Sequence, residues 1–182
     1  MQVLSNERQY GAIAIWVHWV TATALFVVVV TGFSASSLES TPEKIYLLRI
    51  HVVVATTTFL LTMFRVCWWI LIDYKPSLDT NGRTWQIKLA QIVHVFFYII
   101  VFGMTASGLG MLILSHAWDT LFTNAAAPLP DFLRFRPRIP HGIGARLLSA
   151  LIALHIGAAL YHQFVLQDRT ISRMWFGPRP RS

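Results

Sequence analysis

Four long apolar runs constrain this chain more than any other feature. They extend from about Gly11 to Phe33, Leu47 to Ile72, Leu89 to Leu114 and Gly142 to Leu166. Each reaches the roughly 20 residues that an α-helix needs to cross the hydrocarbon core of a bilayer. Apolar residues make up 55% of the 182 and charged residues only 13%, with a mean hydropathy of +0.54, which excludes an ordinary soluble domain of this length. The four spans leave no room for a second domain. The expectation is an all-α integral membrane four-helix bundle over residues 1–182, bathed in membrane lipid and with no nucleic-acid partner.

The first run resembles a signal peptide only superficially. Ser34-Ala35-Ser36 follows it, but the run is about 23 residues long, well beyond the usual apolar region of about 7 to 15, so it is read as a retained helix. The single cysteine, Cys67, excludes an internal disulfide, and no C-x-x-C-H motif is present to attach haem covalently. Orientation follows from the basic residues. One side carries Arg8, Lys75, Arg83, Lys88, Arg169, Arg173, Arg179 and Arg181, and the other carries Lys44, Arg49, Arg134, Arg136, Arg138 and Arg146. The excess predicts that both termini are cytoplasmic.

Histidine placement carries the chemistry. His141 and His155 are fourteen residues apart, almost four turns, so both leave one stripe of one helix about 21 Å apart along its axis. His18 lies about 10 Å in from the cytoplasmic side of the rising first helix, level with His155 on the descending fourth. His51 begins the descending second helix, level with His141 at the outer surface. The pairs predicted are His18 with His155 and His51 with His141, with His18 and His94 as the alternative. A lone histidine in a membrane helix can serve as an interhelical hydrogen bonder, but four at two matched depths suggest two stacked metal centres. Zinc sites usually recruit cysteines or carboxylates in a tetrahedral set, whereas two imidazoles from separate helices suit haem iron.

Other residues share these stripes. Arg65 is fourteen after His51, at the depth where a haem propionate needs a cation, and an arginine inside a span is costly without a partner. Gly32 is fourteen after His18 and Gly108 fourteen after His94, which lets a flat macrocycle approach the backbone at the outer level. The loop from Ser115 to Pro140 is long, stiffened by Pro128, Pro130, Pro137 and Pro140, and charged by Arg134, Arg136 and Arg138 just before His141. Those arginines either meet lipid head groups or steer a small anion.

On these residues the chain resembles the bacterial cytochrome b561 family of four-helix, di-haem b membrane proteins, including its superoxide oxidase members. The matches run through all four helices: His18-Trp19 with Thr31-Gly32; His51 with Arg65; Gln91-x-x-His94 with Ser107-Gly108; His141, His155 and His162; and Asp168-Arg169-Thr170 with Arg173-Met174. The resemblance implies that His18 and His155 hold a cytoplasmic haem b, His51 and His141 a periplasmic one, and Arg65 a propionate. It places the protein in the bacterial inner membrane. Three departures stand out: Ala55 where the family often has glycine, Trp69 in place of a frequent second arginine, and Gly142 in place of an acidic or amide residue.

The expected function is electron movement across the bilayer. A haem bound on both faces by imidazole has no open position, so electrons pass by the porphyrin edge. Superoxide, drawn to the outer face by Arg134, Arg136 and Arg138, would give one electron at a time, and ubiquinone or another quinone would receive them near Arg83, Gln91, His94 and His162. A histidine titrating near neutral pH could relay the protons that quinone reduction requires, though His162 could equally be an interfacial residue in water. The alternative is an anchor cytochrome that relays electrons from a soluble redox partner, a separate dehydrogenase or hydrogenase, to quinone. His116 has no assigned role.

Overall fold

The computed structural model describes residues 2–7, 9–39, 41–76, 84–123, 128–167 and 170–175. Four long helices dominate: α1 (Ala12–Ser37), α2 (Pro42–Leu71), α3 (Thr84–Ser115) and α4 (Arg138–Phe164), followed by one short turn of helix, α5 (Thr170–Arg173). No strand occurs among the described residues, and all four long helices are long and apolar enough to cross a membrane. Large apolar side chains project outward from every one of them, among them Phe26, Ile70, Ile99 and Leu154, as lipid-facing surfaces require. The protein is an all-helical, multi-pass membrane bundle.

The helices outrun the apolar stretches, because local capping chemistry rather than hydropathy sets their ends. α1 continues to Ser37, where the Ser36 and Ser37 hydroxyls each donate at 2.8 Å to the carbonyls of Phe33 and Ser34. α2 starts five residues before Leu47. Thr41 accepts from the Lys44 amide at 3.4 Å, and Pro42 fills the first helical position, where its missing N–H costs nothing. α4 likewise begins at Arg138 instead of Gly142, so His141 sits inside its first turn. Pro140 is tolerated there because the first four amides of a helix have no intrahelical acceptor. α3 ends at Ser115, and His116 turns the chain into the outer loop with a left-handed φ of 53°, a conformation that histidine adopts more readily than most non-glycine residues.

Packing is uneven. α1 lies along α2 through a stripe of small and β-branched residues, Thr21, Ala24, Val28, Thr31 and Ala35, against Thr58 and Thr62 of α2. Close approach of small residues is how apolar helices gain contact in lipid. Each buried threonine hydroxyl donates to a backbone carbonyl of its own helix: Thr21 to Val17 at 2.6 Å, Thr31 to Val27 at 2.7 Å, Thr58 to Val54 at 2.8 Å and Thr62 to Thr58 at 2.7 Å. No polar group in that seam is left without a partner for its hydrogen. α3 lies along α4 in a second pair, whereas α4 makes little contact with α1 or α2. The two helix pairs therefore meet at α2 and α3, where Phe59 and Phe102 have ring centroids 5.6 Å apart, and leave a gap where α4 stands off α1 and α2.

Each end of the α1–α2 pair is fastened. At one end, the outer loop, which includes a π-helical turn (Asp119–Thr123), is pinned to α2 by Arg49, whose Nε donates to the Leu121 carbonyl. At the other, the buried Asp73 carboxylate collects the Ser5 amide at 3.1 Å, the Ser5 hydroxyl at 2.8 Å, the Trp68 indole N–H at 3.1 Å and the Tyr74 amide at 2.9 Å. Ser5 Oγ in turn accepts from the Gly11 amide at 3.0 Å. Asp73→Ala is expected to destabilise the protein by about 3 kcal/mol, since several buried donors lose their acceptor together. Thermal unfolding in detergent measures the loss, and limited proteolysis should show earlier cleavage before residue 11.

Candidate cofactor site

The gap between the helix pairs is lined by histidines from both sides. His18 of α1 and His155 of α4 have ring centroids 6.5 Å apart. His51 of α2 and His141 of α4 have centroids 6.2 Å apart. Two imidazoles bound trans to one metal atom, at about 2 Å per metal–nitrogen bond and about 1 Å from nitrogen to ring centre, have centroids about 6 Å apart. Both pairs match that spacing. They join helices that do not otherwise pack closely.

Hydrogen bonds fix the rings of the outer pair. The Thr31 hydroxyl spends its proton on the Val27 carbonyl, so its oxygen, 3.4 Å from His51 Nδ1, can only accept. His51 Nδ1 is also 3.0 Å from the Val28 carbonyl and must donate to it. Ser107 similarly donates to the Met104 carbonyl at 3.0 Å and accepts from His141 Nδ1 at 3.0 Å. Both rings are therefore held with the proton on Nδ1 and the Nε2 lone pair free, the arrangement that metal-ligating histidines use. The Thr-Gly and Ser-Gly pairs act as units. The hydroxyl orients the ring and the glycine leaves room for it: a Cβ on Gly32 would lie 2.9 Å from His51 Cε1, and one on Gly108 would lie 3.3 Å from His141 Cε1.

The inner pair is arranged differently. Arg65 Nη1 lies 3.2 Å from His18 Nδ1, and because a guanidinium can only donate, His18 accepts there. Arg65 Nε is buried with no hydrogen-bond partner among the described residues, so the residue has a donor to spare for a further acceptor. His94 donates from Nδ1 to the Ala90 carbonyl at 2.6 Å and packs its ring against His155, centroids 5.5 Å apart. Phe97 meets the same ring at 5.5 Å. The ring facing His18 across the gap is thus His155, with His94 and Phe97 buttressing it from α3.

The remaining predicted residues are scattered. Gln91 is exposed on α3, His162 is half-buried in the last turn of α4 beside Tyr161, and Arg83 lies outside the described residues. The three loop arginines are not equivalent. Arg134 is ion-paired with Asp131 at 3.2 Å and its side chain is 82% exposed. Arg136 is exposed. Arg138 is half-buried in the first turn of α4 and folds back over Gly142, where a Cβ would lie 2.8 Å from its Nη1, which gives a steric reason for the small residue after His141. Gln163 escaped sequence reasoning. Its Oε1 is buried without a donor among the described residues, and an amide in the last turn of an apolar helix was the available signal. Among the described residues no group of three or more His, Cys, Asp or Glu could form a metal cluster, which leaves paired imidazoles as the metal-binding chemistry on offer.

The profile of prokaryotic cytochrome b561 matches residues 9–177. The chain belongs to the prokaryotic cytochrome b561 family. It is 27% identical over 178 residues to cytochrome b561 homolog 1 of Escherichia coli, covering 92% of this chain and 97% of that one. It is 26% identical to cytochrome b562 of Cereibacter sphaeroides over 98% of this chain and all of that one. Over 92% of this chain and 96% of the other, it is 24% identical to a Yersinia pestis protein named "Probable superoxide oxidase CybB". Membership makes this cytochrome b561 a membrane electron-transfer protein that binds b-type haem. Paired rings, the free Nε2 atoms of His51 and His141, close glycines and a spare buried guanidinium donor fit such a group.

Gly32→Ala should disturb the outer pair more than Gly108→Ala, because the closer Cβ forces the His51 ring to move. The expected outcome is a lower haem-to-protein ratio for Gly32→Ala, with the Gly108→Ala ratio nearer wild type, read from the absorbance of the purified variants.

Proposed function

We propose that this cytochrome b561 is a two-haem superoxide:quinone oxidoreductase of the bacterial inner membrane, with both termini cytoplasmic. His18 and His155 hold the cytoplasmic-side haem b, and His51 and His141 the periplasmic-side haem b. The single observation that carries this reading is the pair of cross-gap histidine spacings, 6.5 and 6.2 Å. Haem held by these imidazole pairs would supply a one-electron couple, and with a histidine from each side substrates would exchange electrons with it without binding the metal. Arg65, with its unpartnered Nε, neutralises a propionate.

Superoxide as donor is supported by the relative named for that activity and by the arginines ahead of α4. Two superoxide anions each lose one electron and leave as two molecules of O2, while one quinone takes both electrons and two protons to become the quinol. Arg138 stands next to the outer pair, and Arg136 adds cationic field further out. Arg134 is offset by Asp131. Clustered cations of this kind raise the encounter rate of a small anion by one to three orders of magnitude. At the cytoplasmic side, Arg83, Gln91, His94 and His162 make up the quinone region, and Gln163 Oε1 adds a buried acceptor for a quinol hydroxyl. Imidazoles can pass the protons.

The test is haem quantification of the purified chain. Wild type should carry two haems b per polypeptide, with single alanine changes at His18, His51, His141 and His155 each losing about one and His94→Ala losing none. Fewer than two in wild type would end this reading. Reduction by superoxide and reoxidation by added quinone, with no other subunit present, separates the oxidoreductase from an anchor that needs a soluble partner.

Steering carries its own signature. The superoxide reduction rate should fall steeply as ionic strength rises. Arg138→Ala should lower the low-salt rate about tenfold, and Arg134→Ala should change it less than twofold, as its charge is already paired.

A further inference from the structure

Two adjacent tryptophans at the end of α2 are treated differently by the fold. Trp68 donates its indole N–H to Asp73 at 3.1 Å. Trp69 Nε1 is buried and has no acceptor among the described residues. One turn earlier on the same helix face, Arg65 Nε is in the same condition. Two buried donors along one stripe, neither with an acceptor among the described residues, fit the approach of a bound acceptor group.

The surroundings define that acceptor as anionic. Lys75 Nζ stands 5.9 Å over the Trp69 ring, and Tyr10 meets the same indole in an edge-to-face contact, centroids 6.0 Å apart. Neither Arg65 nor Lys75 forms an ion pair among the described residues. The carboxylate nearest in sequence, Asp73, is turned away and saturated by Ser5, Trp68 and Tyr74. Partial desolvation and the Arg65 charge hold the Lys75 ammonium below its ordinary range, a penalty that an added negative charge would offset. Arg65 touches His18, which places the cluster beside the inner histidine pair.

We propose that Trp69 and Lys75 complete, with Arg65, a binding site for the propionate carboxylates of the haem held by His18 and His155. This rests on the two-haem reading above and extends it to residues outside the ligand set. Trp69 is a positioning residue. Its N–H supplies a neutral donor and its ring carries Lys75, so the carboxylates would meet one hydrogen bond and two cations; together these offset the carboxylate charge and favour the ferrous haem, and removing any one of them shifts the balance toward the ferric form.

The full-length protein in nanodiscs of zwitterionic lipid provides the test, with spectroelectrochemical titration of both haems. The wave missing from His18→Ala identifies the inner haem. Trp69→Phe keeps the ring against Tyr10 and Lys75 but removes the N–H. It should retain two haems and shift the inner reduction equilibrium about threefold toward the ferric form, about 30 mV at 59 mV per tenfold for one electron, with the outer haem unmoved. Lys75→Met should shift the same wave in the same direction. If Trp69→Phe fails to hold the inner haem, Trp69→Gln, which restores an N–H donor, should rescue it, and failure to rescue overturns the proposal. An unchanged inner potential in Trp69→Phe also overturns it. So does a shift seen only when anionic lipid is added, which would make a head-group phosphate the ligand, or a changed quinone KM with unchanged potentials. A wild-type chain that loses no haem on His18→Ala defeats the underlying two-haem reading instead.

Discussion

A gap between two helix pairs inside a bilayer needs an occupant. Side chains lining an empty space forfeit dispersion contacts, and water finds few partners among apolar walls. The α1–α2 and α3–α4 pairs are each packed along their length, yet α4 scarcely touches α1 or α2. The fold aims imidazoles into the space from opposite sides, 6.5 and 6.2 Å between ring centroids, separations that a metal atom between two rings would fit. A cytochrome b561 is in this sense a bundle whose interior is completed by its cofactor chemistry, and the helix pairs are the frame.

The two pairs are tuned by different neighbours. At the outer pair, hydroxyls and a backbone carbonyl receive the Nδ1 protons of His51 and His141, which is neutral second-layer support that raises ligand basicity and fixes ring orientation. At the inner pair, a guanidinium points at His18 Nδ1, with Lys75 and Trp69 close by. Positive charge near a redox centre favours its reduced state.

Much of this was legible in the sequence because helix periodicity is rigid. The fourteen-residue spacing of His141 and His155, and of His51 and Arg65, translates into shared stripes without any tertiary information. Hydropathy located the spans, but their ends depended on Thr41, Pro42, Ser36 and Ser37, whose capping effects act one residue at a time. Burial of a single atom is harder still to read. Nothing in the order Trp68-Trp69 says which indole will find Asp73 and which will be left with a free N–H, since that depends on how the segment before α1 folds back to Ser5. The three loop arginines form one basic motif in sequence, and only tertiary placement separates the ion-paired Arg134 from Arg138 against α4.

Placing His141 and His155 on one continuous helix has a mechanical corollary. The α1–α2 hairpin is latched at both extremities, by Arg49 and by Asp73, and behaves as a stiff plate. α4 is then the movable shaft, with two cams keyed to it about 21 Å apart. Under the proposed two-haem arrangement, rolling that shaft to suit one porphyrin would turn the imidazole of the other through the same angle, so neither coordination sphere could be adjusted in isolation.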